Sequence, residues 1–163
     1  MLERLFPRSL DRGYQGHPVA KWVLVLLTGA MIWRSCVHIF YADGGAQSIA
    51  TIPLDTFTSN GAAAVVLIFA MWGLSQLLMG GVYAVVLWRY PAFIPAVWLL
   101  FVAEWGGRLG IGLLKPAIET AERPPGAVGN LIFPVLGLAM LALALRKGRD
   151  ADAATLREAA PAR

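Results

Sequence analysis

Four long apolar runs, separated by shorter polar stretches, dominate the chain. They cover residues 19–41, 61–88, 92–114 and 128–145. Each has the length, roughly 18 residues or more, that crosses about 30 Å of hydrocarbon as a helix. Lipid offers no partner to open backbone groups, so apolar runs of this kind favour helices. The pattern predicts an all-α fold with four transmembrane helices, the second of which is long enough to tilt or protrude.

The composition supports a membrane protein. The 163 residues are 58% hydrophobic and 15% charged, and the mean hydropathy is +0.62. Soluble domains are typically about 45–50% apolar and about 25% charged. The net charge of +4 comes from basic residues at the chain ends and between the runs. That distribution indicates membrane orientation rather than binding of nucleic acid.

Charge alternates along the connections. Residues 42–60 contain no Lys or Arg, only Asp43 and Asp55, whereas Arg89 lies between the second and third runs. Further basic residues flank the bundle: Arg4, Arg8, Arg12 and Lys21 near its start, and Arg146, Lys147 and Arg149 after it. The positive-inside rule predicts an up-down-up-down bundle with both termini in the cytoplasm. Residues 1–18 are then a cytoplasmic leader, and residues 146–163 a disordered cytoplasmic tail.

Five strongly polar side chains interrupt the apolar runs. They are Arg34, His38, Gln76, Glu104 and Arg108. Gln76 and Glu104 fall near the middle of their runs, and the other three in the half toward the predicted outer side. Helical periodicity also places each of them on one face of its run. Antiparallel neighbours would therefore bring all five to similar depths.

Energetics predict that these charges face inward. A charge at the centre of a transmembrane helix costs about 2.5–3.5 kcal/mol even on the lenient insertion scale. Glu104 is the carboxylate within the runs, so we expect Arg34 and Arg108 to share it. Asn130 is a further polar candidate, because Pro134 leaves the Asn130 carbonyl without its helical donor. The aromatic residues Tyr41, Phe69, Trp72 and Tyr83 would line a cleft above this polar group.

Other interpretations of these residues are open. Arg34 and His38 could extend to the outer headgroups if the first span is short. The Glu104–Arg108 pair could serve only to fix helix register. The single cysteine, Cys36, excludes a disulfide within the chain, and no second His or Cys stands at metal-ligand spacing from His38. Gly106 and Gly110 form a GxxxG pattern that could mediate packing in the bundle or a homo-oligomer.

Short motifs relate the chain to a known group. They are DGG after the first run, GAAA at the start of the second and GRLGIGLLKP at the close of the third. With the order of spans, they make residues 19–145 resemble the DoxX-like small bacterial membrane proteins. Many members of that group have no assigned function. The resemblance implies a compact four-helix bundle in the bacterial inner membrane, and it supplies no reaction.

The five polar side chains and the four aromatic residues of the predicted cleft together predict a binding function. We expect a small anionic or lipid-like ligand, or a membrane partner, in an outward-opening cleft. One alternative is an intramembrane isomerase or redox enzyme that uses His38 and Glu104 as acid and base. Another is a proton or ion transporter. The pattern favours binding over catalysis, and it indicates no particular cofactor.

Overall fold

The computed structural model of the chain describes residues 2–6, 13–115, 120, 122 and 124–146. These residues form helices joined by turns, with no strand among them. The helices are α1 (Leu2–Leu5), α2 (Pro18–Phe40), α3 (Ser59–Arg89), α4 (Ile94–Leu114) and α5 (Pro125–Leu145). The last four are long and apolar enough to cross a membrane. The prediction of an all-helical chain with four long apolar helices is therefore confirmed.

Local sequence signals determine where the helices begin. Pro18 stands in the first turn of α2, where its missing N–H costs nothing, and the His17 ring accepts the Val19 N–H. The Thr58 hydroxyl accepts the Gly61 N–H at 3.2 Å and caps α3. The predicted runs agree with the four helices to within three residues at every end. The predicted disordered tail lies outside the described residues beyond Arg146.

The long helices pack chiefly as two pairs. α2 packs on α3, and α4 packs on α5; α2 also contacts α5, whereas α3 and α4 approach each other only slightly. A close approach of α2 to α3 occurs at Gly73. A Cβ at this position would lie 2.6 Å from the His38 Cβ and 3.1 Å from the Ser35 carbonyl oxygen. Small residues at such contacts are what allow helices to pack closely in a membrane.

A buried apolar cluster joins the helices at the end away from residues 41–58. Trp98 of α4 is fully buried there, and its indole N–H donates to the Ala20 carbonyl of α2 at 3.2 Å. The His17 N–H donates to the Leu143 carbonyl at 3.1 Å, which places the start of α2 against the end of α5. These bonds satisfy buried polar groups while they link three helices.

Residues 41–58, which we call the first loop, fold over the other end of α3. Gly44 and Gly45 have φ of 59° and 74°, in the left-handed region that glycine adopts at little cost. The loop buries Ile52 and Leu54 against apolar side chains of α3. The Thr51 hydroxyl donates to the Glu122 carbonyl at 2.8 Å and so links this loop to the connection before α5.

We predict that Gly73→Ala destabilises the protein and that Gly81→Ala, on the same helix, does not. Both substitutions gain about 1 kcal/mol of helix propensity. At Gly73 the added methyl group meets α2, and forcing extra volume into a packed contact typically costs about 1–3 kcal/mol. At Gly81 nothing lies within 4 Å of the added carbon. Thermal unfolding in detergent measures the difference, and equal melting temperatures for both variants would contradict the close contact.

Candidate functional site

The half-buried arginines of α2 and α4, Arg34 and Arg108, have different partners. Arg34 donates through Nη2 to the Gln76 Oε1 of α3 at 2.8 Å. Arg108 donates to Glu104 Oε1 through Nε, at 3.2 Å, and through Nη2, one turn along the same helix. No salt bridge joins Arg34 to Glu104, so the expectation that both arginines share Glu104 is wrong. The reason is that α2 packs directly on α3, which brings the Gln76 amide to Arg34.

Two tryptophans surround both guanidinium groups. The Cζ of Arg108 lies 4.8 Å from the ring centroid of Trp72 and 5.0 Å from that of Trp105. For Arg34 the corresponding distances are 5.4 and 5.9 Å. Cation–π contacts of this kind contribute about 0.5–1 kcal/mol at exposed sites and more when desolvated. Aromatic faces therefore stabilise two like charges that lie close together in an apolar region.

The orientation of the Gln76 amide follows from Arg34. Only the amide oxygen can accept a hydrogen bond from a guanidinium, so the amide nitrogen must point elsewhere. Gln76 is 4% exposed, and its Nε2 is buried without a hydrogen-bond partner among the described residues. The neutral amide thus positions Arg34 without neutralising its charge.

His38 connects the same aromatic group to the first loop. Its ring stacks on Trp72, with centroids 5.1 Å apart and 25° between the planes, and meets the edge of Phe69. Nδ1 lies 2.7 Å from the Gly44 carbonyl oxygen and donates to it, since a carbonyl can only accept. In the neutral ring Nε2 is then an acceptor, and it is buried without a partner among the described residues. His38 therefore links Gly44 of the first loop to Trp72 of α3, whose ring also lies near both guanidinium groups.

Asp43 organises the first loop beside His38. Its Oδ1 accepts the Gly45 N–H at 2.9 Å, and its Oδ2 accepts those of Gln47 and Ser48 at 3.1 and 2.6 Å. Burial raises the pKa of Asp43, but the N–H donors of Ser48, Gly45 and Gln47 outweigh it and hold the pKa below its usual value. The charged carboxylate is therefore the form that supports the folded loop.

A cavity of about 210 Å³ opens between α2, α4 and α5. Its walls are Leu27, Ala30, Met31, Trp33, Arg34, Phe101, Glu104, Trp105 and Phe133. Arg34 and Glu104 are the charged members of this lining. Trp33 is 65% exposed on the surface of α2 and marks the rim. The cavity therefore combines apolar walls with one cationic and one anionic side chain.

The remaining aromatic and amide candidates lie elsewhere. Tyr41 is exposed at the end of α2, Tyr83 is 1% exposed in the apolar cluster, and Asn130 is half-buried on α5. Phe69 and Trp72 surround His38. None of these five lines the cavity. The observed cavity therefore differs from the predicted aromatic cleft in its walls, although Arg34 and Glu104 belong to both.

Helical periodicity in the sequence predicts some of the residues that line this cavity. Leu27, Ala30 and Met31 share the stripe of Arg34 on the first run, and Phe101 shares that of Glu104 on the third. The sequence does not distinguish Trp105 and Phe133 as site residues, because aromatic residues within apolar runs usually serve helix packing. They meet at a centroid distance of 4.5 Å because α4 and α5 form a pair.

Three other candidate features are a metal site, an acid–base pair of His38 and Glu104, and the GxxxG pattern. Within the described part of the chain, no three His, Cys, Asp or Glu side chains lie close enough to hold a metal. His38 does not line the cavity that Glu104 lines, so this cavity does not bring the proposed acid and base together. A Cβ added at Gly106 or Gly110 would meet nothing within 4 Å, so this GxxxG pattern does not mediate packing within the described residues.

Comparisons with known proteins give no independent assignment. No protein-family model, curated protein or solved structure was found to match the chain. The resemblance to DoxX-like proteins therefore stays a prediction, and the function is argued from the geometry of the site.

We predict that Asp43→Asn destabilises the protein by about 1 kcal/mol at pH 7, because hydrogen bonds to a charged acceptor are stronger than those to a neutral amide. A lowered folded-state pKa contributes stability above the ordinary value of about 3.9, and this contribution is lost as the pH falls below it. The difference between wild type and variant should therefore shrink progressively as the pH falls below about 4. Chemical unfolding in detergent between pH 7 and pH 3 measures it.

The matched control for this loop is Asp55→Asn. Asp55 is exposed and has one long contact, 3.5 Å from the Gln47 amide nitrogen. Its substitution should leave the unfolding free energy nearly unchanged at every pH. A pH-independent loss in Asp43→Asn would show that the charge of Asp43 is not what supports the loop.

Proposed function

We propose that this protein binds a small lipid-soluble amphiphile in the cavity between α2, α4 and α5. The observation that carries the proposal is a mostly apolar cavity with Arg34 and Glu104 together on its wall. Small-molecule sites are typically concave and apolar, with a few polar groups that orient the ligand. An engineered apolar cavity of about 150 Å³ holds a benzene ring. A cavity of about 210 Å³ therefore suits a ring or a short branched chain.

The polar wall supplies both a donor and an acceptor. Arg34 uses Nη2 for Gln76, and its other N–H groups have no acceptor among the described residues. Glu104 accepts from Arg108 through Oε1, which leaves Oε2 available. A ligand head group can accept from Arg34, and one that carries an N–H or O–H can also donate to Glu104, while its apolar part contacts Phe101 and Phe133. Such a pair of polar contacts gives the ligand one orientation in the cavity.

The rim of the cavity supports entry from lipid. Trp33 and Ala30 are exposed on the side of α2, within a helix that is apolar enough to cross a membrane. A ligand that partitions into the bilayer can reach the opening between α2 and α5 without crossing the bundle. Lateral entry fits an amphiphile better than a freely water-soluble solute.

We further propose a DoxX-like, up-down-up-down arrangement in a bacterial inner membrane, with both termini in the cytoplasm. The absence of Lys and Arg from residues 42–60 supports an outer position for the first loop. The contact between His17 and Leu143 fits one common side for the start of α2 and the end of α5. The contact between Thr51 and Glu122 fits a common opposite side for the two longer connections.

We predict that Ala30→Phe prevents ligand binding, because the added ring occupies the cavity. The probes are 4-butylbenzamide and 4-butylbenzoate, each a ring with a short chain and a small head group. Wild type should bind at least one of them, and Ala30→Phe should weaken that binding at least tenfold. Native mass spectrometry and ligand-dependent thermal shifts measure it in the purified full chain.

The control for that substitution is Ala142→Phe, at an exposed position of α5 outside the cavity. It adds the same ring to an apolar helix, so probe binding should equal that of wild type. Failure of both probes to bind wild type, or equal binding by wild type and Ala30→Phe, would overturn the proposed function.

The proposed orientation predicts the accessibility of single cysteines in a Cys36→Ser background. A membrane-impermeant maleimide should label Ser48→Cys in intact bacterial cells. It should label Arg146→Cys only after the membrane is disrupted. Both positions are exposed, so burial within the bundle does not limit the reaction. Labelling of Arg146→Cys in intact cells would contradict the cytoplasmic position of the end of α5.

A further inference from the structure

We infer that the cavity selects a monoanionic amphiphile, an amphiphilic carboxylate, and that Gln76 is the positioning residue that determines this selectivity. The inference rests on the proposed binding function of the cavity and adds the charge of the ligand. It follows from the unequal pairing of the two arginines, from the place of Arg34 on the cavity wall and from the burial of Gln76.

The two arginines differ in how their charge is balanced. Arg108 has the Glu104 carboxylate as its salt-bridge partner. Arg34 has the neutral Gln76 amide and the faces of Trp72 and Trp105, and none of these carries a negative charge. Among the described residues that form this group, two guanidiniums and one carboxylate leave one positive charge. Arg34 is the member without a salt-bridge partner among the described residues, and it lines the cavity.

An anionic ligand would complete this arrangement. A charge in the apolar part of a membrane is costly unless it is paired. A ligand carboxylate in the cavity would pair with the half-buried Arg34 among mostly apolar walls, where an ionic hydrogen bond is stronger than in water. A neutral ligand of the same shape would leave the charge of Arg34 unbalanced. The protein should therefore favour the anion over its neutral isostere.

The polar wall also limits the kind of anion. A guanidinium presents parallel N–H groups that match the two oxygens of a carboxylate. Glu104 lies on the same wall in a salt bridge with Arg108, so a second negative charge on the ligand would meet repulsion. A single negative charge on a flat head group pairs with Arg34 and keeps the repulsion from Glu104 to a minimum, and such a carboxylate accepts hydrogen bonds without donating one to Glu104. These constraints favour a carboxylate over a doubly charged phosphate.

Gln76 is the residue that keeps the charge of Arg34 available. It is 4% exposed, and its amide nitrogen has no acceptor among the described residues. A glutamate of the same shape would replace that unpaired donor by an oxygen and would supply the missing negative charge to Arg34. The glutamine therefore orients the guanidinium by a hydrogen bond while it leaves the charge for the ligand.

The experiment compares 4-butylbenzoate with its neutral isostere 4-butylbenzamide, using the purified full chain at pH 7.5. Wild type should bind the benzoate at least tenfold more tightly than the benzamide. In Gln76→Glu the benzoate should lose at least tenfold in affinity, and the benzamide should change by less than threefold. Gln47→Glu adds the same charge in the exposed first loop, and it should preserve the wild-type preference. Titration calorimetry or native mass spectrometry gives the affinities.

Each outcome bears on the inference separately from the proposed function. Equal binding of the two probes to wild type would overturn the anion selectivity and leave the binding function standing. Persistence of the preference in Gln76→Glu would overturn the role of Gln76. If Gln76→Glu does not fold, Arg34→Gln replaces it, and equal affinities for both probes are expected there. A benzoate preference that survives in Arg34→Gln would overturn the inference.

Discussion

The need to stabilise two half-buried guanidinium groups among apolar helices determines the centre of this protein. Trp72 of α3 and Trp105 of α4 both lie within cation–π distance of Arg34 and Arg108. These contacts bridge α3 and α4, which otherwise approach each other only slightly. The close contact of α2 with α3 at Gly73 places Arg34 within reach of Gln76. Helix packing and charge stabilisation therefore depend on each other here.

The two arginines lie beside the same pair of tryptophans, but they have different hydrogen-bond partners. Arg108 and Glu104 form an intrahelical pair, an arrangement that fixes side-chain geometry and contributes little net stability when exposed to solvent competition. Arg34 is held by a neutral amide and faces a cavity. The proposed binding function therefore assigns ligand recognition to Arg34, and it leaves a structural role to the Glu104–Arg108 pair.

The first loop belongs to the same structural unit. His38 stacks on Trp72 and donates to Gly44, while Asp43 binds three N–H groups of the loop. The loop conformation and the position of Trp72 are therefore connected through one imidazole ring. Apolar contacts of Ile52 and Leu54 with α3 add to this connection. An amphiphile beside Arg34 would bind next to a wall that the loop helps to position.

The amino-acid sequence by itself determined the helical class, the four apolar helices and the five polar residues within them. Length and hydropathy are local properties, so the helix ends could be predicted to within three residues. Helical periodicity also placed Leu27 and Ala30 on the face of Arg34. Only the tertiary structure decided that Gln76 rather than Glu104 pairs with Arg34, and that Phe133 closes a cavity against Trp105. Partner choice depends on which helices are neighbours and how closely they pack, and periodicity within a single helix carries no information about either.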